Sequence, residues 1–536
     1  MKFRNFANRF LLIALLVVLS LGQPAVRAVS LSVQTLDAPS ELSKTYYFDY
    51  LNYQGIADQS VYDALGIKVY NDYLSAVQAE RGLKNVVIAV IDSGLNPNHP
   101  VFKNRILESY AMDFSRGGTM SVIANHWNVD SNGHGTHVAG ILADLTLNNV
   151  KILPIKIMDG ITNNVIDEFA LENAIRYLVA LKRGVAVKLV NEEGYEDASL
   201  VCNAERAQLN IVAVNMSLGT VSGFDITNEE DMADFWNMKD GYTENNVRYT
   251  GYQDYIDHLI KYDILPIVAA GNIVNKENKR NTYYSLPGAC DGVLSVSAYN
   301  NTQVEYALAD FSYHNDRISL AAPGVNIWSA CSQNIISLLN TAGSVEEYHD
   351  EFGYYYKYSY RGKSWYVRED ANDVYYLREQ GTSMATPFVT ACYAMLMSDV
   401  SKTNAIDFGL TTWDTKGKDK DFMTIQHKAL LAAAATYADK GEAGYDDFFG
   451  YGVLSMASFA ADEISEPLLD IEYEVEPSKT YQDKDLLGRN EEEADWYRVC
   501  WILFLGGFLI WGISYFRSYF NRRKIHDNEP KQPTFE

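Results

Sequence analysis

Short apolar runs recur through the middle of the chain, separated by stretches whose apolar positions follow a helical repeat. Val86-Val87-Ile88-Ala89-Val90-Ile91 is unbroken and mostly β-branched, and it runs into Asp92-Ser93-Gly94. That pattern predicts a strand buried on both faces, ended by a carboxylate and a turn glycine. Further strands are predicted over 152–158, 210–216, 264–270 and 293–298. Between them, 166–181 reads as a helix with Leu171, Ile175, Leu178 and Val179 on one face, and 74–81 as a short helix leading into the first strand. Strands alternating with helices predict an α/β fold whose mainly parallel sheet is covered on both sides. Ligands in such folds bind beyond the carboxyl ends of the strands.

Two longer apolar segments break that rhythm. Phe10 to Leu21 holds twelve nearly uninterrupted apolar residues behind Lys2, Arg4 and Arg9, and Val26-Arg27-Ala28 supplies small residues after it. This predicts a secretory signal over 1–28, cleaved after Ala28 and too short for a membrane span. Val499 to Phe516 is eighteen residues without a charge, about 27 Å of helix and close to the thickness of a hydrocarbon core. A transmembrane helix is therefore expected over 498–517. Glu491, Glu492, Glu493 and Asp495 precede it, and Arg517, Arg522, Arg523 and Lys524 follow it. The positive-inside rule then places 518–536 in the cytoplasm and the rest outside the cell membrane. The remaining divisions are a polar N-terminal extension at 29–64, the body at 65–462, and an acidic stalk without periodicity at 463–497.

Candidate chemistry lies at the ends of the predicted elements. Asn132-Gly133-His134-Gly135-Thr136-His137-Val138-Ala139-Gly140 is a glycine-rich loop feeding a helix that carries His134 at its start. Gly381-Thr382-Ser383-Met384-Ala385-Thr386-Pro387 reads as a loop-to-helix junction opened by Ser383. Pro387 is expected in the first turn, where a missing N–H costs little. Free N–H groups at such an end favour the negative charge that acyl transfer develops. A serine needs a neighbouring base to become a nucleophile, histidine titrates in the right range, and a carboxylate fixes its tautomer. Asp92, His134 and Ser383 follow one another in the order of subtilisin, not of chymotrypsin or the α/β-hydrolases.

On these motifs the chain resembles the subtilisin-family serine peptidases (subtilases). Asn215-Met216-Ser217-Leu218-Gly219, Ala269-Ala270-Gly271-Asn272, Ala322-Pro323-Gly324 and Gly450-Tyr451-Gly452 add weaker echoes in order. The resemblance implies a subtilisin-like three-layer fold and a serine endopeptidase acting on polypeptides through an acyl-enzyme. It assigns Asp92, His134 and Ser383 to the catalytic triad and Asn272 to the oxyanion hole. It assigns Ser217, Leu218 and Gly219 to the strip that pairs with extended substrate, and Asp159-Gly160-Ile161 to the opposite rim. Ser285 falls at the floor of the first specificity pocket, where a small residue would leave room for a large side chain.

The chain departs from the family in two places. Roughly sixty residues separate the signal from Asp92, too few for a full inhibitory pro-domain. The connection Leu145-Thr146-Leu147-Asn148-Asn149 is short where many subtilases carry a calcium-holding loop. No metal or other cofactor is assigned. The layout of signal, body, stalk, single span and tail is similar to that of the mycosins, which accompany a secretion machine. A secretion-pathway enzyme with a machinery partner is therefore an alternative, and a catalytically silent binding module is another.

Composition narrows the partners. A net charge of −24 argues against nucleic acid. Five cysteines are too few for a disulfide framework and fit no zinc spacing; one pair among Cys202, Cys290, Cys331 and Cys392 stays open, with Cys392 read as a small buried apolar residue. His134 and His137 lack the glutamate of a His-Glu-x-x-His helix. His137 is read as structural and His99 as a turn residue. Asn215 is expected to be buried, which disfavours glycosylation at Asn-Met-Ser. Insertions fall near 183–207, 222–250 and 333–378. The last is rich in tyrosine, and its alternation about Arg361-Gly362-Lys363 predicts a β-hairpin, packed on the body or walling the cleft.

Overall fold

The computed structural model describes residues 27–30, 65–80, 82–115, 126–160, 168–190, 196–203, 208–220, 223–244, 247–273, 282–300, 307–339, 344–350, 353–360, 363–370, 373–399 and 440–457. The candidate signal (apart from residues 27 and 28), the stalk, the candidate span and the tail lie outside them. Among the described residues no helix is long and apolar enough to cross a membrane. The chain divides into two units, Met1–Lys479 and Thr480–Glu536, and all described residues belong to the first.

A seven-stranded parallel sheet forms its centre. Across it run Leu320–Pro323, Leu294–Tyr299, Leu265–Ala269, Ile211–Met216, Val86–Asp92, Val150–Lys156 and Met112–Asp113. The predicted strands end within two residues of the observed ones. Val86, Ile88 and Val90 enter a core shared with the helices His134–Asp144 and Thr382–Ser398, which pack on each other. Val87, Ala89 and Ile91 face the other way and are also buried. Burial on both faces is why these strands are continuous apolar runs instead of alternating ones. Glu168–Arg183 packs on Tyr252–Lys261, which leans on the strand Leu265–Ala269.

The helix predicted over 74–81 starts earlier, at Ile67, and runs to Glu80. Polar Lys68, Asn71 and Asp72 mask a buried line of Tyr70, Leu74 and Val77, spaced by four and three. The first insertion is a pair of antiparallel strands, Ala186–Val190 and Glu196–Asn203, with Arg27–Ser30 parallel on the free edge of the second. The second insertion holds the helix Glu229–Asp240, whose first N–H groups are capped by Asn228.

The tyrosine-rich insertion joins a five-stranded antiparallel sheet in the order Ile327–Ala330, Tyr375–Glu379, Lys363–Glu369, Gly353–Tyr360, Ser344–Asp350. The predicted hairpin is present, with Tyr360 opposite Lys363. Alternation splits its side chains. Trp365, Val367 and Leu377 pack on the helix Gln333–Leu339 through Ile335, Ile336 and Leu339. Arg378, on the neighbouring strand position, lies over the rings of Tyr355 and Tyr366 at 4.8 and 4.5 Å. The sheet packs on the body behind the His134 loop, where His99 meets Tyr376 edge-on at 5.2 Å. Cys290, Cys331 and Cys392 are free thiols in the interior.

The short connection after the His134 helix is closed by a fully buried arginine. Arg105 donates from Nη1 to the carbonyls of Ala143 and Thr146 at 3.1 and 2.8 Å, from Nε to that of Val150 at 3.0 Å, and from Nη2 to the Thr146 hydroxyl. A fixed cation thus gathers carbonyls at a helix C-terminus, where the backbone dipole is negative. Arg105→Met would strip several buried carbonyls of their donor at once. It should lower unfolding stability by about 3–5 kcal/mol, read as a fall in the urea midpoint with the slope unchanged.

Candidate active site

Asp92 closes its strand 1% exposed, and both its carboxylate oxygens accept from His134 Nδ1, at 2.8 and 3.0 Å. The backbone N–H of Ser93 adds a bond to the same carboxylate at 2.7 Å. His134 is the first residue of its helix, and Gly133 before it has a φ of 86°, a left-handed turn that glycine adopts without strain. Gly135 is required for a different reason: a β-carbon there would collide with the carbonyl of Gly94 and sit 3.1 Å from Asp92 Oδ1.

Asp130, which the sequence reading passed over, organises this corner. Its buried carboxylate accepts from the Ser93 hydroxyl (2.9 Å), the Gly133 and Thr136 N–H groups (2.8 and 2.9 Å) and the Thr136 hydroxyl (2.6 Å). The Ser93 hydroxyl in turn accepts from the N–H of Gly135 at 3.0 Å. Asp130 therefore ties the end of the Asp92 strand to the first turn of the His134 helix. Burial pushes its carboxyl above the usual range, against the pull of the bonds from Thr136 and Gly133. The signal was available in sequence as an acid just ahead of a helix start rich in free N–H groups.

Ser383 is the second residue of the helix Thr382–Ser398. Its hydroxyl donates to the carbonyl of Ser217 at 3.2 Å. Val90 pairs with Asn215 in adjacent parallel strands, so Asp92 is level with Ser217, one strand over at about 4.8 Å. Ser383, Asp92 and His134 thus meet at one carboxyl edge of the sheet. Pro387 is not in the first turn as expected but at the sixth helical position. Lacking an N–H, it leaves the carbonyl of Ser383, four residues back, without a helical donor. The Ser217 hydroxyl fills that place at 2.7 Å and itself accepts from Asn215 Nδ2 at 3.0 Å, while Thr390 donates to Asn215 Oδ1 at 2.8 Å. Asn215 is wholly buried.

Asn272 follows the strand Leu265–Ala269, and its Oδ1 accepts from the N–H of Thr382 at 2.9 Å and from the Thr382 hydroxyl at 3.3 Å. With the oxygen engaged, the amide N–H₂ is left for another acceptor. The place a β-carbon would take on Gly381 is 3.5 Å from Asn272 Nδ2 and 3.6 Å from both the N of Ser383 and Asn272 Oδ1, the latter engaged by Thr382. Two donors therefore border one small space. Gly381 is held by a bond from its N–H to the carbonyl of Gly324 at 2.9 Å. Gly450 is forced by the Ser319 backbone, and Gly452 offers its carbonyl to the N–H of Ala321 at 3.0 Å.

Ser217 and Leu218 are buried, and Gly219 lies directly against the Ser285 hydroxyl. Thr220 completes this join through a bond from its N–H to the carbonyl of Leu286 at 2.9 Å. On the other side Asn132 Nδ2 donates to the carbonyl of Gly160 at 3.3 Å; Ile161 lies outside the described residues. His137 and His99 stand apart from this chemistry. His137 Nε2 pairs with the carbonyl of Ile327 at 3.0 Å and His99 Nε2 with that of Tyr375 at 3.2 Å. Burial lowers both to a pKa of about 4, so they stay neutral near pH 7.

A buried carboxylate gripping a histidine, beside a helix-borne serine at the carboxyl edge of a parallel sheet, is the constellation of serine-dependent acyl-transfer enzymes. The chain belongs to the subtilase family, whose peptidase S8 model matches residues 83–452, and its α/β body with a parallel central sheet is the subtilisin-like fold. It is 26% identical over 384 residues to the minor extracellular protease Epr of Bacillus subtilis (strain 168), covering 71% of this chain and 39% of that one. It is 24% identical to fervidolysin of Fervidobacterium pennivorans, covering 62% and 38%, and 27% identical to subtilisin DY of Bacillus licheniformis, covering 48% and 70%. The chain thus spans about two fifths of the length of the first two relatives.

Proposed function

We propose that this protein is a serine endopeptidase held to the outer side of a cell membrane, with polypeptide as its substrate. Ser383 Oγ attacks the carbonyl carbon of a peptide bond while His134 Nε2 takes its proton. Asp92 keeps the other imidazole proton on Nδ1 and stabilises the imidazolium that forms. The carbonyl oxygen, now negative, receives donors from Asn272 Nδ2 and the N–H of Ser383. His134 passes its proton to the leaving amine, and water then releases the acyl group from Ser383 by the same steps in reverse order. The two-point bond from His134 to Asp92, one strand from the Ser217 carbonyl that Ser383 Oγ touches, carries this reading. It also favours an enzyme over a silent binding module, which has no use for an imidazole oriented by a buried carboxylate.

Ser217, Leu218 and Gly219 present backbone beside the nucleophile and suit pairing with an extended segment of substrate. The test is hydrolysis of an unfolded protein by the detergent-solubilised full chain. Cleavage at discrete peptide bonds, abolished by a serine-directed phosphonate, is expected; an inert preparation that is folded contradicts the assignment.

Tethering rests on the uncharged run Val499 to Phe516 and on the acidic and basic flanks around it. Protease added to intact cells should digest the body and spare an epitope placed after Phe520. An epitope reached without permeabilisation contradicts this topology. The secretion-pathway reading predicts a stable membrane partner that co-purifies with the full chain in mild detergent.

A further inference from the structure

Resting on the peptidase reading, the geometry points to a first specificity recess floored by Tyr313, so we infer that the residue ahead of the cleaved bond must be small: glycine, alanine or serine. The recess is fixed by the site itself. With the attacked carbon at Ser383 Oγ and its oxygen between Asn272 Nδ2 and the N of Ser383, the side chain of that residue points between two stretches of backbone. One is Ser217–Gly219, whose first carbonyl accepts from Ser383; the other is Ala270–Asn272.

Both walls turn a glycine toward the gap, and the gap is filled at each. A β-carbon on Gly219 would strike the Ser285 hydroxyl. A β-carbon on Gly271 would lie 3.0 Å from Ser285 Cβ and 2.7 Å from Tyr313 Cε2, with the neighbouring ring carbon closer still. Ser285 therefore stands between the walls, against both glycines, and the Tyr313 ring closes the Gly271 side beside it. Ser285 alone would leave the recess deep, as its size in the sequence suggests; the ring beside it removes that depth.

Tyr313 is also held in place. Its N–H donates to the carbonyl of Gly271 at 3.0 Å, and its hydroxyl accepts from the N–H of Gly223 at 3.2 Å. Its ring stands 5.2 Å from that of Tyr283, and the residue is 5% exposed. A β-carbon on Gly223 would approach its hydroxyl to 2.6 Å, so the loop closes on the ring from outside as well. A substrate phenylalanine or leucine could enter only by displacing a ring that is bonded at its hydroxyl, carried on a bonded backbone and packed on an aromatic neighbour. Nothing in the position of Tyr313 between two other polar residues, Ser312 and His314, reveals this in the sequence.

The experiment uses the full chain in detergent and paired quenched peptides that differ only in alanine or phenylalanine ahead of the scissile bond. The wild type is expected to favour alanine by about a hundredfold in kcat/KM, at the upper end of what pocket size alone achieves. Tyr313→Ala should cut that ratio at least about tenfold, whereas Tyr313→Phe, which keeps the ring, should preserve it. Equal use of both peptides by the wild type overturns the inference, as does an unchanged ratio in Tyr313→Ala. Should Tyr313→Ala not fold, the wild-type profile over a peptide library decides: large residues at that position overturn it. Failure to cleave any peptide, together with no phosphonate adduct, instead removes the peptidase reading on which it rests.

Discussion

Ser383→Ala is expected to lower kcat for peptide hydrolysis by about a millionfold, the size of loss that subtilisin itself shows without its nucleophile. The variant should fold normally. Ser383 Oγ makes one bond, to the carbonyl of Ser217, whereas the junction is held by groups the substitution leaves intact. Those include the Ser217 hydroxyl on the Ser383 carbonyl and Asn272 Oδ1 on the N–H of Thr382. The residual rate should not vanish, because Asn272 and the helix N–H groups still stabilise charge on a substrate attacked by water. Single-turnover assays with wild-type contamination excluded would measure it. A variant with more than about a tenth of wild-type kcat contradicts acyl transfer through Ser383.

Asp92→Asn should cost about ten-thousandfold in kcat with little change in fold, the loss known for such a change in another serine protease. Asp92 accepts from His134 Nδ1 with both oxygens. An amide can turn its N–H₂ toward Nδ1, which places the imidazole proton on Nε2. The nitrogen that must receive the Ser383 proton is then already occupied. Because the defect is one of tautomer, KM should move far less than kcat. A loss confined to KM would show that Asp92 serves binding and not His134.

Much of the candidate site was legible because its residues sit in short segments that local geometry constrains. Asp92 ends a run buried on both faces, His134 and Ser383 begin helices, and glycines stand where backbones meet, so each motif advertises its place. The parallel sheet was legible for the same reason. What escaped depends on contacts between distant segments. Asp130 reads as one more acid in a polar loop until Ser93, Gly133 and Thr136 are seen around its carboxylate. Pro387 seemed harmless one turn too early; its effect on the Ser383 carbonyl needs both the helix start and Ser217. Tyr313 lies 70 residues before the nucleophile, and Arg105 is separated by about 40 positions from the carbonyls it gathers. The tyrosine-rich hairpin was foreseen, but not that Leu377 on the next strand and the helix residue Ile335 would pack against Gly133 in the His134 loop.

Covalent trapping decides whether Ser383 is a nucleophile activated by His134. The full chain, solubilised and incubated with a fluorophosphonate, would be digested and mapped by mass spectrometry. One adduct on Ser383, absent from Ser383→Ala and formed far more slowly in His134→Ala, is the predicted result. A folded protein that takes up no phosphonate at Ser383, or labels there equally fast without His134, would contradict the account.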